Sequence, residues 1–255
     1  MTTNSITITH ADHVATIILE RAPHNFVDAN VICELANQLE ALDANADCRA
    51  VVLAANGKAF CAGADLSGSA GATASTVAAA LYTHAMRLFR TTKPIIAAVH
   101  GPAIGAGLGL ALIADFRVTC EAARFSASFT RLGFHPGFGL TATLPNLIGM
   151  QKASMLFYTG RRIDGALAFA MGLADELVPQ EEVRSRANAL ANEIALSAPQ
   201  AILSTRSELR RGLAEAIAQA NQREQSFQEI QFATADFKEG IAASAERRVP
   251  VFTGN

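Results

Sequence analysis

The sequence predicts an α/β core followed by a helical C-terminal part. Short apolar runs alternate with helix-period segments through the first two thirds of the chain, as at residues 50–55, 94–99 and 116–120. From Glu181 onward only helix-period patterns remain. At 255 residues, half of them hydrophobic, the chain can bury a sizeable core.

The elements follow in order. Residues 6–19 alternate apolar and polar around Ala11-Asp12-His13, which predicts a hairpin. Val31, Leu35, Leu39 and Leu42 recur on one helical face. Residues 49–55 form a short apolar run before Asn56-Gly57, a buried strand and its turn. Residues 74–89 read as a helix, 94–99 as a second strand, 108–114 as a helix and 116–120 as a third strand. Beyond Thr141 the pattern is helical, with breaks at Gly149, Gly160 and Leu177-Val178-Pro179. Three long helices are expected over 181–196, 199–219 and 221–247, with Ser197 as an N-cap and Pro199 in the first turn.

Composition excludes several functions. The net charge is −2 and Trp is absent, so neither a phosphate backbone nor base stacking is an expected partner. No apolar stretch of membrane-crossing length runs unbroken: residues 94–114 carry His100, Pro102 and four glycines. The N-terminus shows no signal-peptide pattern, and Cys33, Cys48, Cys61 and Cys120 are scattered, as expected of reduced thiols in a cytoplasmic protein. No metal-ligand motif occurs. The stretch Gly101-Pro-Ala-Ile-Gly105-Ala-Gly107-Leu-Gly109 follows a strand and opens a helix. It fails as a dinucleotide fingerprint, because Leu110 and Leu112 stand where a third glycine is required. No phosphate-binding GKS or GKT is present. What the stretch offers is a backbone that can approach a ligand closely and donate amide hydrogen bonds.

Lys58-Ala-Phe-Cys-Ala-Gly-Ala64-Asp65-Leu66 resembles the first oxyanion-hole motif of the crotonase superfamily, the enoyl-CoA hydratase/isomerase family. Lys93-Pro94 through Gly101-Pro-Ala-Ile-Gly105-Ala106-Gly107 resembles the second. Residues 156–168, 172–179 and 239–252 also resemble the family's usual run. The resemblance implies a crotonase-like spiral of ββα units over residues 1–195 and a C-terminal helical oligomerisation module over 196–255. It implies a homotrimer or hexamer. It also implies that the Ala64 and Ala106 amides hold a thioester oxygen. For coenzyme A, carried as part of the substrate, it points to Lys58 near the phosphates, to Pro23, His24 and Asn25 near the adenine, to Ala62 and Leu66 in the same loop, and to Arg247 from the C-terminal helix. No covalent cofactor and no metal are implied. Asp65 and Asp115 read as structural carboxylates, the latter beside Arg117.

One departure matters. The positions at which hydratases of this family carry glutamates fall on Gly109 and Phe129, and a third acidic position of some isomerases falls on Gly137. Residues 66–114 and 122–163 contain no Asp or Glu. Acid–base catalysis needs a titratable group within reach, and histidine titrates near neutrality. His135, among Phe125, Phe129, Phe134 and Phe138, is therefore the expected proton-transfer group, ahead of His84 and His100. The expected function is stabilisation of an acyl-CoA enolate, leading to hydration or isomerisation without the usual glutamates. The alternatives are a catalytically silent acyl-CoA binder and a hydrolase or C–C-cleaving enzyme using His135.

Overall fold

The computed structural model describes residues 5–65 and 72–255. Strands β1 (Ile6–Ala11) and β2 (Val14–Leu19) form the expected antiparallel hairpin. Its two-residue turn is made by Asp12 and His13 at φ 48° and 68°, the left-handed geometry that matches strand twist. Helix α1 (Ala29–Ala44) starts where the Asp28 carboxylate accepts from the Val31 amide, and it buries Val31, Leu35, Leu39 and Leu42. Strand β3 (Ala50–Ala55), helix α2 (Ala72–Leu88) and strand β4 (Ile95–Val99) follow. Both strands are buried along their whole length, as parallel strands covered on two faces must be. The short β5 (Ala103–Ile104) leads into α3 (Ala106–Ala111), and then come β6 (Phe116–Thr119) and β7 (Arg124–Ser126).

Helices α4 (Leu140–Ile148) and α5 (Met150–Thr159) precede β8 (Ile163–Asp164), α6 (Gly165–Met171) and β9 (Glu176–Leu177). The main sheet has the order β1-β2-β3-β4-β6-β9, parallel beyond the hairpin. A second sheet, β5-β7-β8, stands beside it.

The C-terminal part consists of α7 (Val183–Ala195), α8 (Pro199–Leu209), α9 (Leu213–Gln231) and α10 (Ala235–Glu246). Helix α7 packs on β3, β4 and β6, whereas α9 packs on α2 and α4. The chain breaks earlier than the periodicity suggests. Gly212 turns left-handed at φ 74°, which ends α8 near Leu209, and Thr234 caps a separate α10 through the Phe237 amide. Ser197 is not the cap of α8. Ala198 occupies that position with no side-chain bond, and Pro199 opens the first turn.

Asp115 is structural, but its partners are Arg206 and Arg210 of the C-terminal helices, at 2.9 and 3.1 Å. Arg117 instead meets Asp175 at 2.9 Å. Its Nε donates to Leu173 O, while its other nitrogens donate to Ala114 O and to the main-chain carbonyl of Asp115, so it bridges the start of β6 and the β9 side. No helix of the described residues is long and apolar enough to cross a membrane.

Candidate active site

The two glycine-bearing loops meet backbone to backbone. Cys61 donates its amide to Pro102 O at 3.0 Å, and Ile104 donates to Cys61 O at 3.0 Å. No side chain fits between them. A Cβ on Gly107 would lie 2.0 Å from Cys61 O, and one on Gly101 would lie 2.4 Å from Lys58 O. The first loop is held on its other side as well, because Val27 donates to Gly63 O and Asp65 donates to Val27 O. That pairing uses the Gly63 carbonyl and the Asp65 N–H and leaves the Ala64 N–H aside. The Ala106 N–H opens α3 and has no earlier carbonyl to meet. Among the described residues, neither amide has a hydrogen-bond partner. The family's usual glycine is dispensable at 106, since Ala106 takes no positive φ.

Ala64 and Ala106 line one cavity of about 830 Å³. Its apolar walls include Val77, Leu81, Phe129, Phe134 and Phe232, and its cations are Lys58, Arg162 and Arg247. No carboxylate is among the described residues that line it. Residues 66–71 contain no acid in sequence, and Leu66, expected to contact the ligand, lies outside the described residues.

The other expected residues divide. Lys58, His24 and Ala62 line the cavity, as does Arg247, which caps α10 in the left-handed conformation. Pro23 does not line it, and its carbonyl instead accepts the Lys58 and Ala59 amides at 2.9 and 3.1 Å. Asn25 is a buried staple rather than a ligand contact. Its Nδ2 donates to Asn56 O and Ala59 O, and its Oδ1 accepts from the Arg21 amide. That geometry commits its side-chain amide to the protein itself. His135 is likewise absent from the lining. Its ring stacks on Phe227 with centroids 5.0 Å apart, and its Nδ1 lies 2.7 Å from Pro136 O. The expectation that His135 fronts the acyl pocket is corrected: α9 draws the ring away from the cavity. His100 serves as a structural partner of Gly57 O at 3.0 Å.

The space beside Gly109 and Gly137, where the resemblance implies acids, is filled by neighbouring side chains. A Cβ on Gly109 would lie 2.6 Å from the buried Phe138 ring, and one on Gly137 would lie 2.0 Å from Tyr82 Oη. Tyr82 lines the cavity and accepts from Gln228 Nε2 at 3.2 Å. Burial pushes its phenol well above the ordinary range, so it stays neutral and cannot act as a base. Burial also pushes the Cys61 thiol up to about 12, which removes it as a nucleophile. Glu224 is buried, but it accepts the Gly139 and Thr141 amides and so caps α4. Sequence reading missed Arg162 and Tyr82. The Gly160-Arg161-Arg162 run was visible, but its place beside the cavity follows only from β7–β8 pairing.

Residues 9–255 match the family described as enoyl-CoA hydratase/isomerase. The chain is 34% identical to the enoyl-CoA isomerase/hydratase fer4 of Mycosarcoma maydis, over 81% of this chain and 77% of that protein. Its structure is similar to that of an enoyl-CoA hydratase/isomerase from Pseudoalteromonas atlantica, with a TM-score of 0.88 and 29% identity over 98% of this chain and 100% of the other. It is also similar to the enoyl-CoA hydratase of Bacillus anthracis, with a TM-score of 0.79 and 33% identity over 99% and 100% of the two chains.

Proposed function

The chain belongs to the enoyl-CoA hydratase/isomerase family, and on that premise we propose that it binds a coenzyme A thioester and stabilises its enolate between the amides of Ala64 and Ala106. The observation that carries this reading is that two unpartnered main-chain donors, on loops locked together by Gly107 and Cys61, line one largely apolar cavity. As negative charge moves onto the thioester oxygen, such donors gain strength where water is excluded. One of them is worth roughly 3–4 kcal/mol in comparable sites. Lys58 and His24 line the same cavity, and in this reading they meet the phosphates and adenine of the carrier.

The reaction is not the two-carboxylate addition of water. Of the two positions that reaction uses, 109 has no room for a side chain and 129 is phenylalanine, and the third acidic position, 137, has no room either. No carboxylate is among the described residues that line the cavity, so the α-proton passes to solvent water as the enolate forms between the two amides. Exposed apolar side chains at Met150, Tyr158, Leu167 and Phe169 support assembly into the family's trimer or hexamer.

Titration with acetoacetyl-CoA, followed by ultraviolet difference spectroscopy, tests the reading. Binding should raise the enolate fraction at a pH where the free ester is mostly ketone. An unchanged spectrum at saturation would make the protein a silent binder, and no binding at all would remove the coenzyme A assignment.

A further inference from the structure

Arg162 and its surroundings have no part in enolate stabilisation, yet they are built into the same cavity. Backbone pairing fixes where they lie. Val27 pairs with Ala64, Cys61 with Ala103, Ala103 with Phe125, and Phe125 with Ile163. Five segments therefore run side by side: 24–27, 58–65, 103–106, 125–128 and 162–164. The two unpartnered amides are on the second and third. His24 is on the first segment, and Lys58, at the start of the second, is tied to that edge by the bond from Lys58 N to Pro23 O, as Ala62 N is to His24 O. Arg162, immediately before Ile163, belongs to the opposite edge, and Ser126 Oγ donating to Gly160 O at 3.3 Å closes that edge.

A thioester whose carbonyl sits between the two amides thus has cations on both sides. Those on the first edge face the carrier. With the carrier at the first edge, the far edge is left to the acyl group, and Phe129 and Leu132 line the same cavity. Arg162 has no ion-pair partner among the described residues, and neither does Arg247 or Arg131. Ser128, Leu132, Arg162 and Ser244 also line an adjoining cavity of about 290 Å³, where Arg131 and Arg161 add further positive charge and no carboxylate is present among the described residues. Arg248, its remaining cation, is already matched by Glu239 and Glu246.

We propose that the acyl group of the substrate ends in a carboxylate and that Arg162 is the residue that recognises it, which makes the ligand a short dicarboxylic acyl-CoA. This rests on the coenzyme A reading above and names its substrate class. A planar guanidinium donates two parallel hydrogen bonds to a carboxylate, and the Ser128 hydroxyl, which lines the same cavity, can donate another. Two strand spacings, roughly 10 Å, separate the 103–106 segment from the 162–164 segment. The reach of an arginine side chain takes up much of that span, so a chain of a few carbons fills the rest.

The test compares the affinities of the whole protein for glutaryl-CoA and hexanoyl-CoA, which are matched in size, by calorimetry. Wild type should favour glutaryl-CoA, and Arg162→Gln should lower that preference about tenfold, as loss of one charge-assisted contact does. The 3′-dephospho forms of both esters separate the acyl carboxylate from the carrier's own phosphate. A preference that persists in them supports the proposal. If Arg162→Gln weakens both esters equally, and does so only when the 3′-phosphate is present, Arg162 binds the carrier and the proposal is overturned. Equal affinity of wild type for the two esters also overturns it while leaving the coenzyme A reading intact. Binding of neither ester would overturn both.

Discussion

At the scale of single residues, the positions where the resemblance implies acids are closed by volume as well as lacking charge. Phe138 adopts φ 65°, a conformation that a bulky residue rarely takes, and its ring is fully buried against Tyr82 and Phe89. It fills the space that a side chain from position 109 would need. Restoring the glutamate should therefore not restore water addition. Gly109→Glu forces a carbon to within 2.6 Å of the ring and buries a carboxylate, so a loss of more than about 3 kcal/mol in urea unfolding is expected. Hydration of crotonyl-CoA should stay absent. Phe138→Ala removes the obstacle, so the double variant should be markedly more stable than the sum of the two single losses. Additive losses would show that Phe138 is not what excludes the side chain.

Whole elements place those residues, and α10 is the one that closes the cavity, through Ile241, Ser244, Ala245 and Arg247. Its outer face is strapped by the C-terminal tail. Glu239 accepts from Arg248 and from the Val251 amide, while Asp236 accepts from the Thr253 and Gly254 amides. The Arg248 guanidinium and the Val251 N–H hold the Glu239 carboxyl down to about 2. The sign follows from the depression. The strap is complete above the ordinary carboxylate value of about 4.3 and is lost as pH falls through the lowered one. In a titration from pH 6 to about 1, the Val251 amide resonance should move with a midpoint near 2, well below the ordinary carboxylate value, and Glu239→Gln should abolish the transition. A midpoint at the ordinary value would mean that the tail does not hold the helix. Elements of this kind were unevenly legible in sequence. The hairpin was readable because Asp12-His13 interrupts a strict alternation, and α1 because its apolar residues keep one face. The junction between α8 and α9 was not, because Arg210-Arg211-Gly212 carries a single glycine and apolar periodicity resumes directly after it.

For the whole molecule, the same contrast separates what local pattern can encode from what only tertiary packing decides. The loops bearing Ala64 and Ala106 were readable because close backbone approach demands small residues at fixed spacing. His135 misled because its fate depends on Phe227 and Gln231 of α9, which nothing near it in sequence announces. Arg162 was hidden for the converse reason: strand pairing, not spacing, brings it to the site. Asp115 shows what holds the distant parts in register. It sits just before β6, accepts the Ile95 amide at 2.8 Å, and takes both Arg206 of α8 and Arg210. Arg206 also donates to Thr91 O, so α8 is bolted to the sheet and to the end of α2 at once. Both side chains are largely out of water, at 9% and 16% exposure, so removing the carboxylate strands a buried guanidinium. Asp115→Ala should cost about 3–5 kcal/mol in urea unfolding. Because α9, which follows α8, packs on α2 and α4, the loss should also loosen the wall that carries Leu81 and Tyr82, weakening acetoacetyl-CoA binding from a distance. A change below about 1 kcal/mol, the range of an exposed pair, would show that Asp115 does not lock the C-terminal helices to the core.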